Sequence, residues 1–265
     1  MKKKNLFKNL YITLFFLFLY LPIIVLVIYS FNDSELNIVF KGFTLKWYKA
    51  LLENRSLLEA LKNTLIVSIT STFFSTVIGT LSAIGLKKAN FKFKKVINDL
   101  LYIPIVIPEI VLGIALLSVF TLTRIELGMF TIILSHIAFS IPFVIISVRG
   151  VLDSLNPYLD DACRDLGASD FKTLWYVTLP SCASGIFSGA LLAFTLSLDD
   201  VIISYFTAGP GSNTLPLKIY SMIKSGITPD VNALSSIILL ITIFILSIST
   251  IIEIRQIKRS VNYEK

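Results

Sequence analysis

The sequence predicts an all-α integral membrane protein with six transmembrane helices, and three observations carry that expectation. Six apolar runs, 10–31, 61–86, 100–121, 129–148, 183–206 and 233–252, reach the roughly 20 residues that a bilayer core requires. Charged residues make up only 15% of the 265 and lie mostly between those runs. With the N-terminus placed inside, 16 of the 24 Lys and Arg fall in the tails and inner loops, the bias expected of cytoplasmic segments. An even number of spans then puts both termini in the cytoplasm. The net charge of +7 reads as a topological signal and calls for no nucleic-acid partner.

Each element follows in order, within one transmembrane domain over residues 1–265. The first run comes after Lys2, Lys3 and Lys4, but its apolar core is too long for a secretory signal and the exit "FNDSEL" lacks a small-residue cleavage site, so it is read as a retained helix. The loop after it has helical spacing from Thr44 onward, with Leu45, Tyr48, Leu51 and Leu52 on one face, and is expected to lie along the outer surface. In the third run Pro104 and Pro108 stand one turn apart, just before Glu109. Each proline lacks an N–H and frees a carbonyl one turn back, and such broken spans are tolerated where a cavity or a neighbour satisfies the freed groups. The short link "LTRIELG" makes the third and fourth spans antiparallel neighbours. After the fifth span, the Pro- and Gly-rich "TAGPGSNTLP" reads as an irregular turn followed by a short helix around 217–223.

Metal and nucleophilic chemistry find little support. Cys163 and Cys182 are 19 apart, with no CxxC and no histidine nearby. The single histidine, His136, lies in the fourth span without an acidic neighbour in sequence and is read as a packed or hydrogen-bonded core residue. No GxxxxGK[ST] occurs, so the chain is not expected to cradle ATP itself. It is read as a transport subunit without an active site, cofactor or metal of its own.

The inner segment 153–180 is polar and dense in helix signals. Asn156 can cap with Pro157 at the first helical position, Asp160 and Asp161 suit the positive end of the dipole, and Gly167 suits a C-cap. Ser169 then caps a second helix over 170–177, which Pro180 closes before the fifth span. Two short helices joined at a glycine make a projecting knuckle, with Tyr158, Leu159, Ala162 and Leu166 as an apolar stripe. At this point the chain resembles the membrane subunits of ATP-binding-cassette importers, whose cytoplasmic loop reads Glu-Ala-Ala, three residues, Gly, nine residues, Ile, one residue, Leu-Pro. Here Asp161-Ala162-Cys163, Gly167, Val177 and Leu179-Pro180 stand at those spacings, with Asp for Glu, Cys for Ala and Val for Ile.

The resemblance implies the importer permease fold, with 153–180 as a coupling helix that docks on a cytoplasmic ATPase through Asp161, Ala162, Gly167, Asp170, Leu179 and Pro180. A second resemblance narrows the solute. The segments "FTLKWYKALLENRSLLEALKNTLIVS" and "SLDDVIISYFTAGPGSNTLPLKIYSMIKSGITPDVNALSSI" are similar to those of spermidine/putrescine importer permeases, specifically the second of their two membrane subunits. With the loop, the likeness covers most of 43–237. It implies a bacterial inner-membrane complex with a different second permease, two ATPase subunits carrying ATP and Mg, and an extracytoplasmic polyamine-binding protein.

Three acids fall inside spans, Glu109, Asp199 and Asp200, and neither of their spans holds a Lys or Arg. An ionised side chain at mid-membrane costs about 2.5–3.5 kcal/mol on insertion scales, so these acids need partners. They can be structural, protonated or bonded to neighbours, or they can line a cation path in which a carboxylate replaces the water of a desolvated ammonium. By rise per residue Glu109 lies near the midplane, while Asp199 and Asp200 lie near the outer end of their span, both expected to face the bundle interior. Trp47 in the outer loop has two readings, an interfacial anchor or a cation–π contact to an entering polyamine. The competing functions are the same machine for another small solute and an ion-coupled secondary transporter. The latter favours an inverted repeat, which the sequence does not display.

Overall fold

The computed structural model describes residues 2–34, 39–88, 92–225 and 229–244, and within them the chain is helical apart from one isolated bridge between Asn32 and Phe43. The helices are α1 (Lys2–Tyr29), α2 (Lys46–Glu53), α3 (Arg55–Lys88), α4 (Lys94–Leu101), α5 (Ile103–Val106), α6 (Glu109–Leu122) and α7 (Met129–Leu152). They continue with α8 (Leu159–Asp165), α9 (Asp170–Thr173), α10 (Leu179–Ser181), α11 (Ala183–Asp199), α12 (Ile202–Thr207) and α13 (Leu215–Ser225), and then α14 (Pro229–Phe244).

Three helices are long and apolar enough to cross a membrane without a break: α1 over Lys8–Tyr29, α3 and α7. The third and fifth predicted spans are not single helices. The third is a pair, Lys94–Val106 and Glu109–Leu122, bent by 110° at Ile107 and Pro108, and the fifth joins the Asp170–Ser181 segment at a 67° bend. Pro108 supplies the first break, since it takes the N-cap position of α6 in extended backbone (φ −55°, ψ 135°). The fifth run breaks again after Asp199, where Asp200 turns extended (φ −63°, ψ 128°) and α12 starts afresh. The sixth predicted span, 233–252, begins in α14, and its part beyond residue 244 lies outside the described residues.

The chain divides into two compact units, residues 1–58 with 221–265, and residues 59–220. In the first, α2 is held against the end of α1: Ser30 Oγ lies 2.8 Å from the Tyr48 hydroxyl, and Phe31 stacks on Phe43 with ring centres 5.3 Å apart. The same unit ties Asn54 to Asp230, Nδ2 to Oδ2 at 2.6 Å.

In the second unit the core forms where α3, α7 and α11 meet, with Ala83, Ile84, Val144, Ile145, Val148, Cys182 and Ala193 buried. Small residues let these helices approach closely, as membrane packing favours. A Cβ added to Gly185 would stand 2.9 Å from the Ser147 carbonyl oxygen, and one on Gly79 would stand 2.7 Å from Val144 Cβ. The side of α11 that packs is therefore a narrow four-residue repeat, Gly185, Gly189, Ala193 and Ser197. Loops lock onto the helix starts as well: Thr131 Oγ1 donates to the Thr207 carbonyl at 2.7 Å, and Asn63 Nδ2 donates to the carbonyls of Gly211 and Asn213.

Candidate functional site

The three span acids stand at the two helix breaks of the second unit. Glu109 opens α6 in its first turn, where the helix dipole favours a carboxylate. Asp199 ends α11, and Asp200 stands between α11 and α12. Packing of α12 on α6 closes the arrangement, with Phe206 lying where a side chain at Gly113 would be. Glu109 is thereby within electrostatic range of both Asp200 and Asp199.

The two aspartates, however, do not share a face. Consecutive helical residues diverge by about 100°, and Asp200 continues the buried stripe of Ser197, Ala193 and Gly189, whereas Asp199 follows Ser188, Leu192 and Thr195, which are exposed in this chain. The expectation that both acids face the bundle interior holds for Asp200 alone. Glu109 and Asp199 are exposed.

Asp200 is heavily partnered. Its carboxylate accepts the backbone N–H of Ile203 at 3.1 Å and of Ser204 at 2.8 Å, the pattern of a cap on the first turn of α12. His136 Nε2 lies 3.2 Å from Asp200 Oδ2, with the two side chains only 1% and 5% exposed. His136 Nδ1 lies 2.7 Å from Ser197 Oγ, which is 3.0 Å from Ser71 Oγ on α3. The hydrogen-bonded core reading of His136 fits. Its partner was not evident from sequence, because 64 residues separate the two; the one available signal was an Asp just before the apolar run "VIISYF", a helix-start pattern inside a span.

Trp47 belongs to the other compact unit, on α2. It is half-buried, its indole N–H donates to the Asn32 carbonyl at 2.6 Å, and the Lys46 ammonium sits 4.7 Å from its ring centre while pairing with Asp33 at 2.5 Å. The cation over the ring is thus the chain's own Lys46.

In the knuckle, Gly167 has φ +81° and ends α8 in a Schellman motif: its N–H bonds the Arg164 carbonyl at 2.8 Å, and the Ala168 N–H bonds that of Cys163 at 3.0 Å. Ser169 Oγ caps α9 through the Lys172 N–H. Asn156 Oδ1 accepts the Tyr158 N–H at 3.0 Å, although regular helix begins only at Leu159. Arg164 bridges the two short helices, its Nε and Nη2 reaching Asp170 Oδ1 at 3.2 and 3.1 Å, and this bond with the Asp170 charge holds the guanidinium above its ordinary range.

Pro180 does not close the second helix. A π-turn over Leu174–Thr178 widens the backbone, the proline enters the first turn of α10, where its missing N–H is harmless, and the chain breaks at Cys182 instead. Asp161, Ala162, Asp170 and Pro180 are exposed, and Leu179 is half-buried. Leu166, Tyr176, Tyr158 and Phe171 expose 89, 79, 73 and 69% of their surface. The knuckle is moored to α3 by Lys88 and Asp160 at 2.8 Å, beside a cavity of about 200 Å³ lined by Lys87, Asn156 and Leu159 among others.

The family model described as "Binding-protein-dependent transport system inner membrane component" matches residues 75–262. The spermidine/putrescine transport system permease protein PotC of Escherichia coli (strain K12) is 40% identical over 248 residues, covering 94% of this chain and 94% of that one. The putrescine transport system permease protein PotI of the same strain is 36% identical over 231 residues, covering 84% and 82%. Among solved structures, a bacterial ABC transporter involved in the import of the acidic polysaccharide alginate matches with a TM-score of 0.72 at 15% identity, over 95% of this chain and 96% of that one.

Proposed function

We infer the function from one premise: the chain belongs to the family of binding-protein-dependent transport system inner membrane components. On that premise it is the second, PotC-like membrane subunit of an ATP-driven importer for polyamines such as spermidine and putrescine. The observation that carries the substrate class is that Glu109 lies within electrostatic range of Asp199 and Asp200 at two helix breaks, in spans without Lys or Arg. Broken helices at depth are where transporters place substrate groups, and carboxylates there suit ammonium ions. The same cluster would repel an acidic polysaccharide. The identity to PotC and PotI supports the reading independently.

In this reading Glu109 and Asp199 present their carboxylates to the path, with the exposed face of Ser188, Leu192, Thr195 and Asp199 turned towards a second, different permease. Asp200 contributes charge from within. Trp47 supplies an aromatic face for an ammonium at the outer side. Two cytoplasmic ATPase subunits hold ATP and Mg, and an extracytoplasmic binding protein delivers the polyamine. The exposed apolar side chains of Tyr158, Leu166, Phe171 and Tyr176 dock on the ATPase, and the rigid cap at Gly167 passes on its closure as a switch between inward-open and outward-open states. Both termini and segment 153–180 are cytoplasmic.

The test is ATP-driven uptake of labelled spermidine or putrescine by vesicles holding all subunits of the importer. Saturable uptake that stops when this chain is omitted is expected. A complex that hydrolyses ATP and imports another solute but no polyamine would contradict the substrate class. Uptake driven by an ion gradient without an ATPase would contradict the machine.

A further inference from the structure

The buried histidine has a chemistry that the transport reading does not use. An ionised carboxylate only accepts hydrogen bonds, and Asp200 already receives two backbone N–H groups, from Ile203 and Ser204. Two side-chain groups also face it, the Ser204 hydroxyl and His136 Nε2, the latter at 3.2 Å from Oδ2. For that contact to be favourable, Nε2 must carry the proton. In the neutral ring, Nδ1 is then an acceptor, and Ser197 Oγ, 2.7 Å away, must donate to it, which leaves a Ser197 lone pair facing the Ser71 hydroxyl at 3.0 Å. The bonds thus run from Ser197 on α11 through His136 on α7 to the break between α11 and α12, with Ser71 of α3, whose hydroxyl also reaches the Ser68 carbonyl at 3.3 Å, beside Ser197. Ser204 Oγ, 3.2 Å from Nε2, closes the group on the α12 side.

This chain of bonds does two things. It fixes a break that contains neither proline nor glycine, because residues Asp199 to Ile202 have no such residue to impose it. It also holds the Asp200 carboxylate inward, so that Asp199, one residue earlier, is the one left exposed. We propose that His136, as the Nε2–H tautomer, is a positioning residue for the substrate path: it pins Asp200 as the cap of α12 and thereby leaves Glu109 and Asp199 as the two exposed carboxylates that meet the cation. The proposal rests on the polyamine-path reading.

Two polar replacements separate this role from general packing. His136→Gln can put an amide N–H where Nε2 stands, whereas His136→Asn ends near the Nδ1 position and cannot reach Asp200. In the complete importer, KM for labelled putrescine should stay within about threefold of wild type for His136→Gln and rise roughly tenfold or more for His136→Asn, the usual scale for losing a buried hydrogen bond to a charge. Assembly and basal ATP hydrolysis should be unchanged in both. Asp200→Asn should raise KM similarly, and adding His136→Asn to it should raise KM little further, while His136→Asn and Glu109→Gln should multiply. Equal KM values for the Gln and Asn variants, or multiplying effects of His136→Asn and Asp200→Asn, would overturn the positioning role alone. Wild-type uptake in Glu109→Gln and Asp199→Asn would overturn the path reading and this inference with it.

Discussion

Replacing Gly167 by valine tests the knuckle through a single torsion. At φ +81° the residue is left-handed, and an added Cβ meets nothing within 4 Å, so the whole effect comes from the backbone and none from a clash. A left-handed L-residue costs about 1–2 kcal/mol, with a β-branched side chain at the upper end. Since 1.4 kcal/mol is tenfold, the population with the Schellman cap intact should fall roughly 5- to 30-fold. What is lost is the angle between α8 and α9, together with the seat of the Arg164–Asp170 bond that spans them. Asparagine, which tolerates this region, should retain more function than alanine, and alanine more than valine. The assay is ATP-driven polyamine uptake in proteoliposomes, with basal ATPase activity and subunit stoichiometry measured on the same samples. Uptake per ATP should fall in the order Gly, Asn, Ala, Val while the complex stays assembled. Equal coupling in all four would refute the argument that the glycine sets the docking geometry.

Two further predictions concern packing and orientation. Gly185→Leu should abolish stable assembly, because even a Cβ there lies 2.9 Å from the backbone carbonyl of Ser147 and a larger side chain adds about 1–3 kcal/mol or more of overpacking; normal expression and detergent-resistant assembly would show that α7 and α11 do not pack this closely. Cys163 should be labelled by a membrane-impermeant thiol reagent only from the cytoplasmic face when the ATPase is absent, since it is partly exposed while Cys182 is buried; labelling from outside would invert the topology.

The residues that declare themselves in sequence are those whose local chemistry decides their conformation. Gly167 and Ser169 act on backbone groups within four residues, so the turn and the second cap could be read directly, whereas Asn156 holds the Tyr158 N–H and the helix that it was expected to cap begins only at Leu159. Pro108 breaks its span for the same local reason. The break at Asp200 was hidden because a partner lies elsewhere: His136 reaches it from another helix, and an apolar run of suitable length masks the interruption. Pro180 misled in the opposite direction, since a π-turn just before it lets the helical path pass through a residue that locally reads as a stop. The phase of α11 was legible in its small residues but not the separation of its two acids, which depends on the helix ending between them.

The most direct measurement is uptake of labelled putrescine and spermidine by the complete importer carrying Glu109→Gln and Asp199→Asn, singly and together. The amides keep size and remove charge, so only the attraction for the ammonium groups changes. Each single variant should lose most polyamine uptake, and the double variant nearly all of it, with expression, assembly and basal ATP hydrolysis at wild-type levels. Wild-type uptake kinetics in the double variant would contradict a cation path through these carboxylates.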